Sequence, residues 1–122
     1  MNQTESAMAD FTYFQLRIRQ FADERDWDQY HTPKNLAMAL IVEAAELVEH
    51  FQWLSDAESQ SLSAGKLQQV SEEIADIQIY LLRIADKLNV DMADAVDKKL
   101  TANALKYPVD KARGSSKKYN EF

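Results

Sequence analysis

The sequence predicts an all-α fold, and three observations carry that prediction. Only two glycines and two prolines occur among 122 residues, fewer than an architecture of strands and tight turns would use. Apolar residues recur at spacings of three and four over long stretches. Pro33, Gly65, Pro108 and Gly114 all fall where that periodicity breaks, so they punctuate helices instead of interrupting them. The length suits a single domain, residues 1–122, able to enclose one core.

The first helix is expected from about Ala7 to Arg25, where Phe11, Phe14, Ile18 and Phe21 form one apolar stripe. Asp26 to Thr32 reads as a connection. Thr32 can cap the second helix and Pro33 suits its first position. That helix is expected to run to about Leu54, and it is apolar on almost every side, which predicts burial among several neighbours or at a subunit interface. In the polar connector from Ser55 to Ala64, Ser55 and Glu58 have capping-box spacing. The third helix, about Lys66 to Leu88, places Val70, Ile74, Ile77, Leu81, Ile84 and Leu88 in heptad-like alternation. Asp91 is expected to cap a fourth helix that ends near Tyr107, because a proline at 108 disfavours helical geometry in the residue before it. Val109 to Phe122 reads as an extended tail, leaving four main helices in a bundle-like arrangement.

Composition removes several function classes. Without cysteine there are no disulfides and no thiolate metal sites. Met1 to Asp10 lacks the basic flank and apolar stretch of a signal peptide, and no apolar run reaches the length of a membrane span. A cytoplasmic protein with no membrane partner is therefore expected. Charge is unevenly spread: residues 1–97 carry 7 basic and 18 acidic side chains, whereas residues 98–118 carry 7 basic and 1 acidic. This asymmetry fits a nucleic-acid or membrane tail and equally a cation site facing a phosphate grip, and the motifs decide between them, although an acidic body would repel polyanions.

The acidic residues that matter are two pairs at helical spacing, Glu43 with Glu46 and Glu73 with Asp76. Residues three apart share a helix face, so each pair points one way. Glu43 falls among Leu36, Leu40 and Leu47, which sets its charge within an apolar stripe. Desolvating a carboxylate costs several kcal/mol, and two carboxylates about 4 Å apart repel by roughly 4 kcal/mol at an effective dielectric near 20. A lone ExxE is most often a solvated pair. Two such pairs on apolar helices call for a compensating divalent cation, and an all-oxygen ligand set suits magnesium, manganese or calcium better than zinc or copper. A carboxylate-bridged di-iron bundle needs histidine three residues after glutamate on two helices, and neither His31 nor His50 is so placed.

These residues resemble a known family. Val42-Glu43-Ala44-Ala45-Glu46-Leu47 and Glu72-Glu73-Ile74-Ala75-Asp76 are similar to the ExxE and ExxD halves of the MazG-like nucleotide pyrophosphohydrolases, nearest the dCTP pyrophosphatase branch. Further blocks follow in order: Arg25-Asp26-Trp27 with His31, Pro33-Lys34-Asn35-Leu36, Phe51-Gln52-Trp53, Asn103-Ala104-Leu105-Lys106-Tyr107-Pro108, and Arg113-Gly114-Ser115-Ser116-Lys117-Lys118-Tyr119. Relatives often carry glycine where this chain has Val42 and Ala45. The resemblance implies the all-α NTP pyrophosphatase fold, dimers or paired dimers with active sites near the subunit interface, and magnesium-dependent cleavage of a nucleoside triphosphate to monophosphate and pyrophosphate. It implies that Glu43, Glu46, Glu73 and Asp76 are the metal ligands, with Mg2+ or Mn2+ as the ion, and that Trp27, His31, Trp53 and Tyr80 line a pyrimidine pocket.

On the fourth helix Lys99, Asn103, Lys106 and Tyr107 lie within about a quarter-turn of one another at 3.6 residues per turn, so they can grip one anion together. Arg113, Lys117 and Lys118 are expected to fold over a bound triphosphate, from the same chain or a neighbouring subunit. Glu46 or Glu43 is the expected general base.

Overall fold

The computed structural model describes residues 2–122, and among them there are helices and no strands. The first helix, α1, spans Gln3–Glu24 and begins earlier than the apolar stripe alone predicts. Asn2 is the reason. Its side-chain oxygen accepts from the Glu5 N–H at 2.8 Å while the Glu5 carboxylate accepts from the Asn2 N–H at 3.2 Å, a reciprocal capping box.

At the other end Asp26 takes a left-handed conformation, φ 54°, and the Trp27 N–H reaches back to the Ala22 carbonyl at 2.9 Å. This closure satisfies carbonyls that a helix end would otherwise leave open. It swings the chain into a single 3-10 turn, Asp28–Tyr30, which sets Trp27 and His31 on one side of α1.

Helix α2 spans Pro33–Glu49, with the Thr32 hydroxyl accepting from the Asn35 N–H at 3.2 Å. It stops short of the expected Leu54, because the N–H groups of Phe51 and Gln52 both turn onto the Val48 carbonyl. Trp53 is carried outside and is 88% exposed. The Ser55–Glu58 capping box forms as read from sequence and opens a one-turn helix, α3, over Asp56–Ser59. Helix α4 then covers Ala64–Lys87 and ends as α1 does, with Asn89 left-handed at φ 56° and the Val90 N–H on the Ala85 carbonyl at 2.8 Å.

Helix α5, Met92–Lys106, is capped by Asp91 as expected. The tail beyond it is not extended. It forms a short helix, α6, over Val109–Ala112, turns at Gly114 where φ is +73°, and closes in a 3-10 turn over Tyr119–Glu121. Tyr107 gathers it, with edge-to-face contacts to Tyr119 at 6.1 Å and Phe122 at 5.9 Å, while the Lys106 ammonium sits 5.0 Å from the Tyr119 ring centre. Aromatic spacing across the polar segment between them concealed this from periodicity.

Helix α2 packs along α4, and α1 lies against α4 and α5. The core is thin: Ala22, Leu36, Val70, Leu82 and Ala85 are the buried apolar residues. Two stripes fall differently from their sequence reading. On α1 the inward face is Phe11, Gln15, Ile18 and Ala22, whereas Phe14 and Phe21 are exposed. On α4 the heptad pattern divides, for Val70, Ile77 and Ile84 turn inward while Leu67, Ile74, Leu81 and Leu88, spaced by seven, form an outward row. Met38, Ile41 and Val48 of α2 are likewise exposed, so the burial predicted for every side of that helix is not met within one chain.

Candidate metal centre

Packing of α2 on α4 brings the two carboxylate pairs face to face. The inner face of α2 runs through Leu36, Leu40, Glu43 and Leu47, and that of α4 through Val70, Glu73, Ile77 and Tyr80, so apolar residues flank each charge along its own helix. Glu43, Glu73 and Asp76 each place one carboxylate oxygen within 4.8 Å of the others. Glu46 adjoins Glu43 and Glu73 from the next position on the α2 face. The four carboxylates singled out in the sequence therefore cluster at one place, three of them close enough to share an ion and Glu46 beside them.

The electrostatics are unfavourable for carboxylates alone. Burial, followed by the neighbouring Glu46, Asp76 and Glu73, pushes the Glu43 carboxyl from 4.5 up to about 7. Burial and the charge of Glu46 raise Glu73 in the same direction. The Tyr80 hydroxyl is also raised, by burial and then by Glu43, Asp76 and Glu46, which places that ring beside the cluster. One oxygen each of Glu43 and Glu73 is buried without a hydrogen-bond partner. Buried oxygens normally find one. Two orphaned carboxylate oxygens facing one point among oxygen-only donors fit a hard divalent cation of the magnesium or manganese kind.

A pH dependence follows from these shifts. A carboxyl whose pKa is raised on folding binds more protons in the folded state, so stability contributed below about pH 4.5 is lost as pH rises to about 7. Without divalent cation, the melting temperature of the wild type relative to Glu43→Gln is expected to fall across that window by roughly 2–5 °C. Magnesium should remove the decline, since a cation favours the ionised form. A pH-independent difference between the two proteins, measured by scanning fluorimetry, would contradict this account.

The remaining sequence-derived residues are only partly assembled. Trp27 and His31 lie edge to face at 6.3 Å, and Trp27 continues to Phe21 at 5.7 Å, giving an aromatic run along α1. Trp53 projects from the turn after α2 and is mostly exposed. On α5, Lys106 and Tyr107 engage the tail aromatics, and the principal neighbour of that helix is α1. Arg113 lines a shallow surface depression with Val109 and Asp110, and Lys117 follows in the tail with its N–H on the Ser115 hydroxyl at 3.2 Å. Lys99 is exposed and Asn103 half-buried.

Sequence reasoning missed the group that braces His31. Arg83 of α4, 3% exposed, donates from Nε to His31 Nδ1 at 3.1 Å, from Nη2 to Asp28 at 2.7 Å and from Nη1 to Asp86 at 3.2 Å. Lys87 reaches the same Asp28 oxygen at 2.8 Å, and Arg19 donates through Nε to Asp86 at 3.0 Å. A signal was available: Arg83 is a lone charge inside the run Leu81-Leu82-Arg83-Ile84-Ala85.

A helical chain whose two central helices present four convergent carboxylates defines a class of all-α proteins built around a divalent-cation site. The model of the MazG-like family matches residues 38–122. The curated relatives include dCTP pyrophosphatase 1 of Rattus norvegicus and of Homo sapiens, each 44% identical over 105 residues covering 84% of this chain. This chain spans 62% of the length of those relatives. The crystal structure of a pyrophosphatase from Archaeoglobus fulgidus superposes with a TM-score of 0.67 at 37% identity, covering 88% of this chain and 95% of that one. The chain belongs to the MazG-like family.

Proposed function

We propose that the protein is a magnesium-dependent nucleoside triphosphate pyrophosphohydrolase that cleaves between the α and β phosphates of dCTP or a modified dCTP, yielding monophosphate and pyrophosphate. The observation that carries this reading is the meeting of Glu43, Glu46, Glu73 and Asp76, with two buried oxygens unpartnered. The relatives named for dCTP pyrophosphatase activity support the substrate class.

Glu43, Glu73 and Asp76 would hold the cation, and Glu46 would complete the set or orient the attacking water. When bound, magnesium supplies Lewis-acid polarisation of the phosphoryl oxygens, neutralisation of the departing pyrophosphate and a lowered pKa for water in its shell. The carboxylate cluster takes up the proton released in hydrolysis, with Glu46 or Glu43 as its acceptor. Trp27, His31 and Tyr80 form the base platform on this chain, and Trp53, exposed here, completes it from a partner subunit. Lys99, Asn103, Lys106, Tyr107, Arg113 and Lys117 act on the phosphates, also across the subunit boundary.

Assembly is part of the reading. The chain exposes 9384 Å², against about 6,700 Å² for a compact monomer of its 14.0 kDa. The excess is on the scale of an obligate interface. Leu67, Ile74, Leu81 and Leu88 on α4 and Met38, Ile41 and Val48 on α2 flank the carboxylates and supply a coiled-coil-like seam for a second copy. No helix among the described residues is long and apolar enough to cross a membrane. The proposal is of a cytoplasmic homo-oligomer acting on a nucleotide, without a membrane or nucleic-acid partner.

The test is a panel of nucleoside triphosphates incubated with the protein and magnesium, with products identified by phosphorus NMR. Monophosphate and pyrophosphate, formed fastest from dCTP, are expected. Diphosphate and phosphate, or no product, would overturn the reading.

A further inference from the structure

The Arg83 network has a consequence for the aromatic run that ends at His31. A guanidinium offers donors and no acceptor. With Arg83 Nε 3.1 Å from His31 Nδ1, that ring nitrogen must present its lone pair, and the proton of a neutral imidazole then resides on Nε2. A second proton on Nδ1 would point at the Arg83 N–H.

We propose that Arg83 is a positioning residue that holds His31 uncharged with its proton on Nε2, so that the ring offers the nucleobase a fixed hydrogen-bond donor, suited to a pyrimidine carbonyl oxygen or unprotonated ring nitrogen. The inference rests on the nucleotide reading above for its ligand, and on geometry alone for the state of the ring.

Three features support it. Arg83 is itself immobilised: Asp28 and Asp86 take its two Nη groups, and Lys87 and Arg19 hold those carboxylates in turn. Its planar fork leaves little freedom to release His31. His31 is also confined by the turn it belongs to, where the Asn35 side chain donates to the Tyr30 carbonyl at 3.1 Å and Thr32 caps α2. Nε2 makes no hydrogen bond among the described residues and is not one of their buried unpartnered atoms, so its proton is available to a ligand.

The groups around the ring agree in sign. Burial is the first influence lowering the His31 pKa and the Arg83 charge the second, with Lys87 acting the same way and Asp28 of the same turn opposing them. A neutral donor discriminates more than a titrating one, because a base without an acceptor at that point leaves the N–H unpaired.

Imidazole nitrogen NMR of the intact protein tests the ring directly. The expected spectrum has the His31 proton on Nε2 and no protonation near pH 6.5, and addition of dCMP should shift the Nε2–H resonance. In Arg83→Gln the ring should titrate at higher pH. For dCTP hydrolysis, KM should rise roughly tenfold with kcat changed less than about twofold, and KM should acquire a pH dependence that Arg83→Gln with His31→Gln lacks.

Should Arg83→Gln fail to fold, Arg83→Lys retains the charge beside Asp28 and Asp86 but lacks the Nε fork. Its expected KM is also raised, and wild-type KM and ring state in that variant would overturn the proposal. So would a wild-type ring protonated on Nδ1, or an Nε2–H unmoved by saturating dCMP. Failure of every triphosphate to release pyrophosphate would instead overturn the hydrolase reading, and the nitrogen spectrum and dCMP titration would still decide the role of Arg83.

Discussion

Glu46→Gln is expected to reduce magnesium-dependent pyrophosphate release by roughly a thousandfold while leaving the helical fold intact, the scale seen when a group acting on the reacting centre is lost. The substitution keeps the shape and removes one charge. Glu46 raises the pKa of both Glu43 and Glu73, so neutralising it relieves repulsion within the cluster. The metal-free variant should consequently melt at or above the wild-type temperature, and magnesium should stabilise it less than it stabilises the wild type. Phosphorus NMR and thermal scans with and without magnesium measure both effects. Retention of more than a tenth of wild-type turnover would remove Glu46 from the active centre. Loss of activity with a collapsed melting temperature would show that the carboxylate serves the fold instead.

The second large effect concerns assembly. Leu67 and Leu88 stand at the two ends of the outward row on α4, each 54% exposed, and neither adjoins a carboxylate of the cluster. Leu67→Glu with Leu88→Glu is expected to convert an oligomer into a monomer by light scattering, because a desolvated, unpaired charge at an apolar seam costs several kcal/mol per site. Activity should fall by roughly a hundredfold or more with it, since in the proposed assembly Trp53 and the basic residues of α5 reach the site only across the subunit boundary. The monomer's helicity should persist if the substitutions act only at the seam. A fully active double variant would place the interface elsewhere.

The carboxylate cluster was legible for a particular reason. Glu43 and Glu46, like Glu73 and Asp76, are spaced to share a helix face, and Glu43 interrupts an apolar stripe, so local geometry and the cost of desolvation both mark the site before any tertiary contact is known. Tyr80, one turn beyond Asp76, follows from the same helical spacing. Arg83 was less legible. Its significance depends on Asp28, 55 residues away, and His31, 52 residues away, and no periodicity links side chains across two helices.

Helix boundaries divide along the same line. Thr32, Ser55 and Asp91 announced their helices because a cap is a contact with a backbone group three residues on. The early end of α2 and the folded tail depended on contacts that spacing does not encode, namely the turn onto Val48 and the gathering of Tyr119 and Phe122 around Tyr107. On α1 and α4 periodicity identified amphipathic helices but not which apolar residues turn inward. Phe14, Phe21, Ile74 and Leu88 belong to the predicted stripes and lie exposed, because the direction of burial is set by where neighbouring helices lie.

The sequence by itself determined that the protein is helical, where most helices begin, and that four carboxylates fall in two pairs that each share a helix face, since each is governed by interactions within a few residues. Only the tertiary structure decided that those carboxylates meet, that two of their oxygens stay unpartnered, that His31 is held by Arg83 and that an apolar row remains uncovered. These depend on distances between segments remote in the chain, which local stereochemistry leaves open and helix packing settles.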